Sequence, residues 1–391
     1  MTDDVWFPSH QGSEEWQSVA ELTNISNPLF EKTLFLLGYD FSSNMYLLQG
    51  EHCSFIDTGN DYHAFVQLLE MGIKPTDIKK IALTHGHHDH VMGAIELYRG
   101  HRGYADQLDV EVFMHAAGPV EFKQIVKDLG YRITELKGGE TINLSGFDFE
   151  VIYTPGHTID GLSFYHAPTK TLFSGDTVMP LAIAEVDDKG AGGRLDHYLY
   201  ALRSLLKLDI EHVLAGHGGV APNIGRFVVE ETYDGLIKKV VGVQTPLMEG
   251  AAELAQKGLL EEALFYVNKE LKANAEDSKA LEFKAFLLND LGRNQEALEV
   301  FNAILAGDEE QPYILMGKGC ALLGLGRYEE SLPCFEDALK RNPQLKEVEV
   351  YKGMALYLSG RVDEAMDLEA FKTEFATKFK GEMEKLSKGK S

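Results

Sequence analysis

Two kinds of apolar patterning divide the chain. Up to about residue 248, short runs rich in β-branched and aromatic residues alternate with amphipathic stretches. The runs at 44–49, 52–56, 80–84, 110–114, 147–153, 162–166, 171–174 and 212–215 predict strands. Helices are predicted at 62–71, 91–99, 118–129, 196–207 and 226–241. Gly, Asp and His gather where the strands end: Asp57 to Gly59, His85 to His90, Gly156 with His157, Gly175 with Asp176, and Gly216 to Gly218. Chemistry carried on loops at strand ends, over a rigid sheet, is the usual arrangement of an α/β enzyme.

Beyond that point the spacing is helical and repeats. Gly258, Gly292, Gly326 and Gly360 are each 34 residues apart, and Arg follows three of them. Five residues after each lies a small side chain (Ala263, Ala297, Ser331, Ala365), and seven before lies another (Ala251, Ala285, Gly319, Gly353). Nine after comes Val267, Phe301 or Phe335, a pattern that breaks at Glu369. Each unit reads as two helices around a glycine turn, with small residues permitting close contact and the aromatic wedging against the next unit. Period and positions resemble the tetratricopeptide repeat over about residues 249–368. Leu315 stands where that family has an aromatic near the start of the first helix. The tail from Phe371, with Phe375, Phe379, Met383 and Leu386 at helical spacing, is expected to form a capping helix. The expected domains are therefore 1–248 and 249–391.

Charge narrows the partners. Against 37 Lys+Arg there are 61 Asp+Glu, a formal net charge of −24. The segment before residue 249 holds 18 basic and 34 acidic residues, so both segments are acidic. Neither offers the concentrated positive charge that nucleic acid or an anionic membrane requires. Cys53, Cys320 and Cys334 make no disulfide framework. The first residues lack a signal peptide's pattern, and no apolar run approaches the ~20 residues of a membrane span. A soluble cytoplasmic protein is the expectation.

The strongest chemical signal is Thr84-His85-Gly86-His87-His88-Asp89-His90. Imidazole and carboxylate donors suit zinc, iron or manganese. His85 and His87, two apart after a strand, can share one ion, while Asp89 and His90 on the following turn can reach a second. Three further stations follow at strand ends: His157 after Thr154-Pro155-Gly156, Asp176 after Ser174-Gly175, and His217 between Gly216 and Gly218. Alternation turns His88 away from His87, towards a supporting role.

This order of motifs resembles the metallo-β-lactamase superfamily over roughly residues 25–245. The resemblance implies an αββα sandwich, so the expected whole is α/β followed by an all-α repeat array. It puts His85, His87 and His157 on a first metal, and Asp89, His90 and His217 on a second, with Asp176 bridging. Asp57 matches the family's early supporting Asp, and Thr84 and His88 are expected beside the ligands. The ligand set is closer to the glyoxalase-II-like and lactonase-like branches than to the β-lactamases. Two divalent ions are implied, zinc first, with iron or manganese as alternatives.

Seven ligands shared by two ions leave open positions, as catalysis requires. A metal-bridging hydroxide would attack a small ester-like substrate such as a thioester or lactone, with Asp89 and Asp176 as the catalytic carboxylates and Asp89 taking up the water's proton. Alternatives are a mononuclear iron enzyme of the persulfide dioxygenase kind, a small phosphodiesterase, and a repeat-based interaction protein with a metal-binding platform. Substrate contacts are expected between Asp176 and His217, from Arg194, His197 or Tyr198, under a lid at Gly190 to Gly193. The repeats are expected to recruit a protein partner or a second copy of the chain.

Overall fold

A computed structural model describes residues 15–39, 41–100, 109–307 and 311–388. The chain falls into two compact units, Met1–Val240 and Val241–Ser391.

The first unit is built on two sheets. Strands β1 (Gln17–Ser18), β2 (Thr33–Leu36), β3 (Met45–Leu48), β4 (Cys53–Ile56), β5 (Ile78–Ala82), β6 (Glu111–His115) and β7 (Arg132–Leu136) pair in chain order. Pairing is antiparallel from β1 to β4 and parallel from β4 to β7. The second sheet holds β8 (Thr141–Leu144), β9 (Phe147–Tyr153), β10 (Leu162–His166), β11 (Thr171–Gly175) and β12 (His212–Ala215). Only its last pair, β11 with β12, is parallel.

Period-2 alternation assigns each face. In β3, Met45 and Leu47 join a core with Phe65, Leu68, Val91, Ile95 and Phe122. Those partners come from helices α2 (Tyr62–Glu70), α3 (His88–Gly100) and α4 (Val120–Asp128), which follow the short α1 (Val19–Thr23). Tyr46 and Leu48 face the other way, into a core with Phe149, Phe164, Phe173 and Leu214 of the second sheet. Each fully buried Phe contributes about 1.5–3 kcal/mol of transfer free energy, so this inter-sheet layer is a stiff base for the loops above it. Helices α5 (Leu195–Leu205) and α6 (Gly225–Val241) complete the unit, burying Tyr198, Leu202, Val229 and Tyr233. The architecture is the expected αββα sandwich.

The second unit consists of α7 (Leu247–Gln256), α8 (Leu260–Ala273), α9 (Ser278–Asp290), α10 (Asn294–Gly307), α11 (Pro312–Gly324), α12 (Tyr328–Arg341), α13 (Lys346–Leu358), α14 (Val362–Met366) and α15 (Glu369–Lys388). Gly258, Gly292, Gly326 and Gly360 turn the chain between paired helices with φ of 77°, 72°, 75° and 88°. That left-handed backbone costs a β-carbon-bearing residue about 1–2 kcal/mol, which explains glycine at the 34-residue mark. The small residues five positions later are fully buried, as are Val267, Phe301 and Phe335. Where the pattern breaks at Glu369, Phe371 takes over: a β-carbon at Gly353 would lie 2.3 Å from its Cγ. Among the described residues, no helix is long and apolar enough to cross a membrane.

Candidate metal centre

The site is assembled where β4, β5, β9, β11 and β12 end. Past β4, Asp57 is buried, with φ of 51°. Asp tolerates this region better than most residues, and here the turn aims its carboxylate back under the next strand's loop. Asp57 Oδ1 accepts the Thr84 backbone N–H at 2.8 Å, and Oδ2 accepts the Thr84 hydroxyl at 2.7 Å. The same Oδ2 receives His90 Nδ1 at 2.8 Å. His90 therefore carries its proton on Nδ1 and presents Nε2 to the cluster, as an oriented metal ligand does. Thr58 N and Oγ1 both donate to the His90 carbonyl, at 2.9 and 3.0 Å, locking the start of α3 against the end of β4.

Around this anchor the donors fall into three overlapping groups: His85, His87 and His157; His85, His90 and Asp176; Asp89, His90 and His217. His87 Nδ1 lies 3.0 Å from both His85 Nε2 and His157 Nε2. His217 Nε2 lies 3.0 Å from Asp89 Oδ2, and His90 Nε2 lies 3.5 Å from that same oxygen. Asp176 joins the groups: its Oδ2 is 3.6 Å from His157 Nε2 and 3.6 Å from His217 Nε2, and its Oδ1 is 3.3 Å from His90 Nε2. Gly216 makes room for it, since a β-carbon there would lie 2.3 Å from Asp176 Oδ1. Glycine at this place is a packing requirement.

The donor set fits metal ions on two grounds. Tetrahedral nitrogen ligands at about 2.0–2.1 Å from an ion stand roughly 3.4 Å apart, close to the separations found. In addition, His90 Nε2 and Asp176 Oδ1 are buried and neither makes a hydrogen bond of acceptable geometry, although they face each other. Buried polar atoms without partners are costly, and a cation between these groups would satisfy both. The electrostatics of His85 and His157 agree. Burial, helped by neighbouring His90, drives the His85 pKa well below the ordinary value, and burial also lowers His157, keeping both imidazoles neutral with free lone pairs. Burial opposes charge on His90 as well, but Asp176 and Asp57 outweigh it and push the pKa well up. Asp176 is held far below the carboxylate range: burial raises it, and His90, with help from His85 and His217, more than reverses that. The hydrogen bond from His217 and the charges of His90 and His217 overcome burial at Asp89, leaving it lowered, and Asp89 in turn raises His217.

All seven expected ligand residues thus meet in one cluster, with Asp57 and Thr84 behind it. Of the remaining expected residues, two, His88 and Tyr198, do not take the expected positions. His88 is exposed, because it opens α3 instead of continuing the strand, so the turn of the helix sends it to solvent and not behind the ligands. Tyr198 is fully buried and donates to the carbonyls of Asp176 and Thr177 at 3.1 and 2.9 Å. It braces the Asp176 turn and cannot touch substrate. Arg194 is exposed and pairs with Asp196 at 2.7 Å, while His197 is half-buried on α5. The segment Gly190 to Gly193, expected as a lid, is tied to the His157 loop: Ile159 N donates to the Ala191 carbonyl at 2.8 Å and Arg194 N to the Gly156 carbonyl at 2.8 Å. Two contributions went unread. The Glu185 carbonyl accepts His157 Nδ1, and Asp187 Oδ2 lies 3.3 Å from His87 Nε2. Neither residue stands at a strand end or in a motif, and only the turn-forming Asp and Gly content of 187–193 hinted at a structured loop.

Comparison with known proteins agrees with the fold. Residues 38–217 match the model of the metallo-beta-lactamase superfamily, and residues 316–370 match the tetratricopeptide repeat. The chain carries a metallo-β-lactamase domain followed by tetratricopeptide repeats. It is similar to a hydroxyacylglutathione hydrolase of Pseudomonas entomophila (strain L48), 31% identical over 172 residues, which are 42% of this chain and 59% of that protein. A probable metallo-hydrolase, YqgX, of Bacillus subtilis (strain 168) is 27% identical over 189 residues, covering 44% of this chain and 83% of that one. An atrochrysone carboxyl ACP thioesterase of Aspergillus fumigatus is 26% identical over 192 residues, 48% of this chain and 55% of that protein. The chain spans little more than half the length of the first and third of these relatives.

Proposed function

We propose that the sandwich unit is a metal-dependent hydrolase of a small ester-like substrate, a thioester foremost, with two divalent ions. His85, His87 and His157 would hold the first ion, Asp89, His90 and His217 the second, and Asp176 both. The observation that carries this reading is the convergence of both histidine groups on the Asp176 carboxylate. Two named relatives, a hydroxyacylglutathione hydrolase and an acyl-carrier thioesterase, point to thioesters as the substrate class. Bound divalent ions lower the pKa of a coordinated water and polarise the substrate carbonyl; zinc, iron and manganese all suit these donors.

The chain's own groups divide the remaining work. His90 and Asp176 are sealed in, with side chains 0% and 10% exposed. His87, Asp89 and His217 are 30%, 29% and 36% exposed, so substrate approaches from their side. Asp89, on this open side of the cluster, is the group placed to accept the proton of the attacking water. The repeat unit serves protein association, with a partner or a second copy. Elemental analysis of the purified full chain, followed by thioester, ester and lactone hydrolysis assays on it and on Asp176→Ala, tests the reading. The variant is expected to fall to the uncatalysed rate. Wild-type turnover in Asp176→Ala would overturn the shared-carboxylate arrangement.

A further inference from the structure

The two histidine groups are supported in different ways. On the Asp89, His90 and His217 side, the support is Asp57, 1% exposed and fixed by three hydrogen bonds within the core. On the His85, His87 and His157 side, His85 Nδ1 lies 3.2 Å from the Thr84 hydroxyl, but His87 and His157 are backed by a surface loop. Asp187 Oδ2 lies 3.3 Å from His87 Nε2, the ring nitrogen opposite the one that faces the cluster. Two residues earlier, the Glu185 carbonyl accepts His157 Nδ1, again on the far side of the ring from Nε2.

The loop is built to hold this position. Asp187 N donates to the His157 carbonyl at 2.9 Å, and Gly193 N donates to the Asp187 carbonyl at 2.7 Å. Asp187 Oδ1 accepts Gly190 N at 2.7 Å, leaving Oδ2 for His87. A β-carbon at Gly193 would come within 2.2 Å of the His157 carbonyl oxygen, so the approach of loop to ligand needs glycine there. The Asp187 side chain is nonetheless 33% exposed.

We propose that Asp187 is a positioning residue: it fixes the proton of His87 on Nε2, presents Nδ1 to the first ion, and makes the 185–193 loop the determinant of that ion's affinity. This rests on the two-ion reading given above. A carboxylate behind a ligating imidazole fixes its tautomer and orientation, and its removal typically lowers metal affinity about 10–100-fold. Asp187→Ala should therefore weaken one ion and spare the other, whose support is Asp57.

The test uses the full-length chain. Zinc affinity and stoichiometry are measured by competition with a chromophoric chelator for wild type, Asp187→Ala, Asp187→Asn and Asp188→Ala. Expected are a loss of about 10–100-fold for one of two ions in Asp187→Ala, partial rescue in Asp187→Asn, whose amide oxygen still accepts from Nε2–H, and wild-type behaviour for the neighbouring half-buried Asp188→Ala. Nitrogen NMR of the metal-free protein should show the His87 proton leaving Nε2 in Asp187→Ala alone. Two ions bound by Asp187→Ala with wild-type affinity would overturn the proposal and leave the two-ion reading standing. Equal loss of both ions would also overturn it. A wild-type chain that binds no zinc, iron or manganese would overturn the two-ion reading and this proposal with it.

Discussion

In the sandwich unit, polar side chains are buried by segments far apart in the chain: Asp57, Thr84, His90 and Asp176 meet from beyond the ends of three strands, β4, β5 and β11. In the repeat unit the buried positions recur every 34 residues and are filled by Ala, Val and Phe, with Ser331 at one of the small-residue positions. Of the described polar or charged side chains that are buried, only Glu262 and Ser331 belong to the repeats. Burying polar groups costs free energy unless each finds a partner, and a hydrogen-bonded network is tolerated where something is gained from it. The sandwich spends its interior on a site, whereas the repeats spend theirs on cohesion. Substitutions in the two units should therefore fail differently.

The largest effect is expected in the repeats. Phe335→Ala, at a fully buried ring, should cost about 3–5 kcal/mol locally. Hydrogen–deuterium exchange should show lost protection over α11 to α13 with metal content unchanged; loss of bound metal would break the contrast. In the sandwich, Asp57→Asn keeps the shape and removes the charge behind His90. Chelator competition should register a drop of about 10–100-fold in metal affinity, with little change in exchange protection of the inter-sheet core. Gly292→Ala is the mildest of the three. Nothing stands within 4 Å of the added carbon, so only the backbone φ of 72° opposes it. About 1–2 kcal/mol of stability should be lost in chemical unfolding, and a neutral result would mean that the 34-residue glycine is not a backbone requirement.

How much of this was legible in the sequence follows the same division. Repeat positions declare themselves by period, and Gly258, Gly292, Gly326 and Gly360 all prove to be turns. The ligands were legible because metal chemistry restricts them to His and Asp at strand ends. Strands β1, β2, β7 and β8 were not read. β1 has only two residues, while Arg132–Leu136 and Thr141–Leu144 are short and largely polar, so their pairing comes from neighbouring strands and not from an intrinsic pattern. Asp187 was invisible for a related reason: its partner His87 lies 100 residues away, and one Asp in a Gly-rich loop looks like any turn residue. Tyr198 misled because a tyrosine near a metal motif reads as a substrate contact until its burial is known.

Phe371 shows how the array ends. Phe301 and Phe335 follow their turn glycines by nine residues, but Phe371 follows Gly360 by eleven and stands on α15, past the five-residue α14. Its ring occupies the notch over Gly353 much as Phe335 meets Gly319, where a β-carbon would lie 2.5 Å from the ring. The chain thus fills its own last docking position with a helix that is out of register for another unit. A two-residue offset in one aromatic works as a length gauge, stopping a pattern that could otherwise be extended indefinitely.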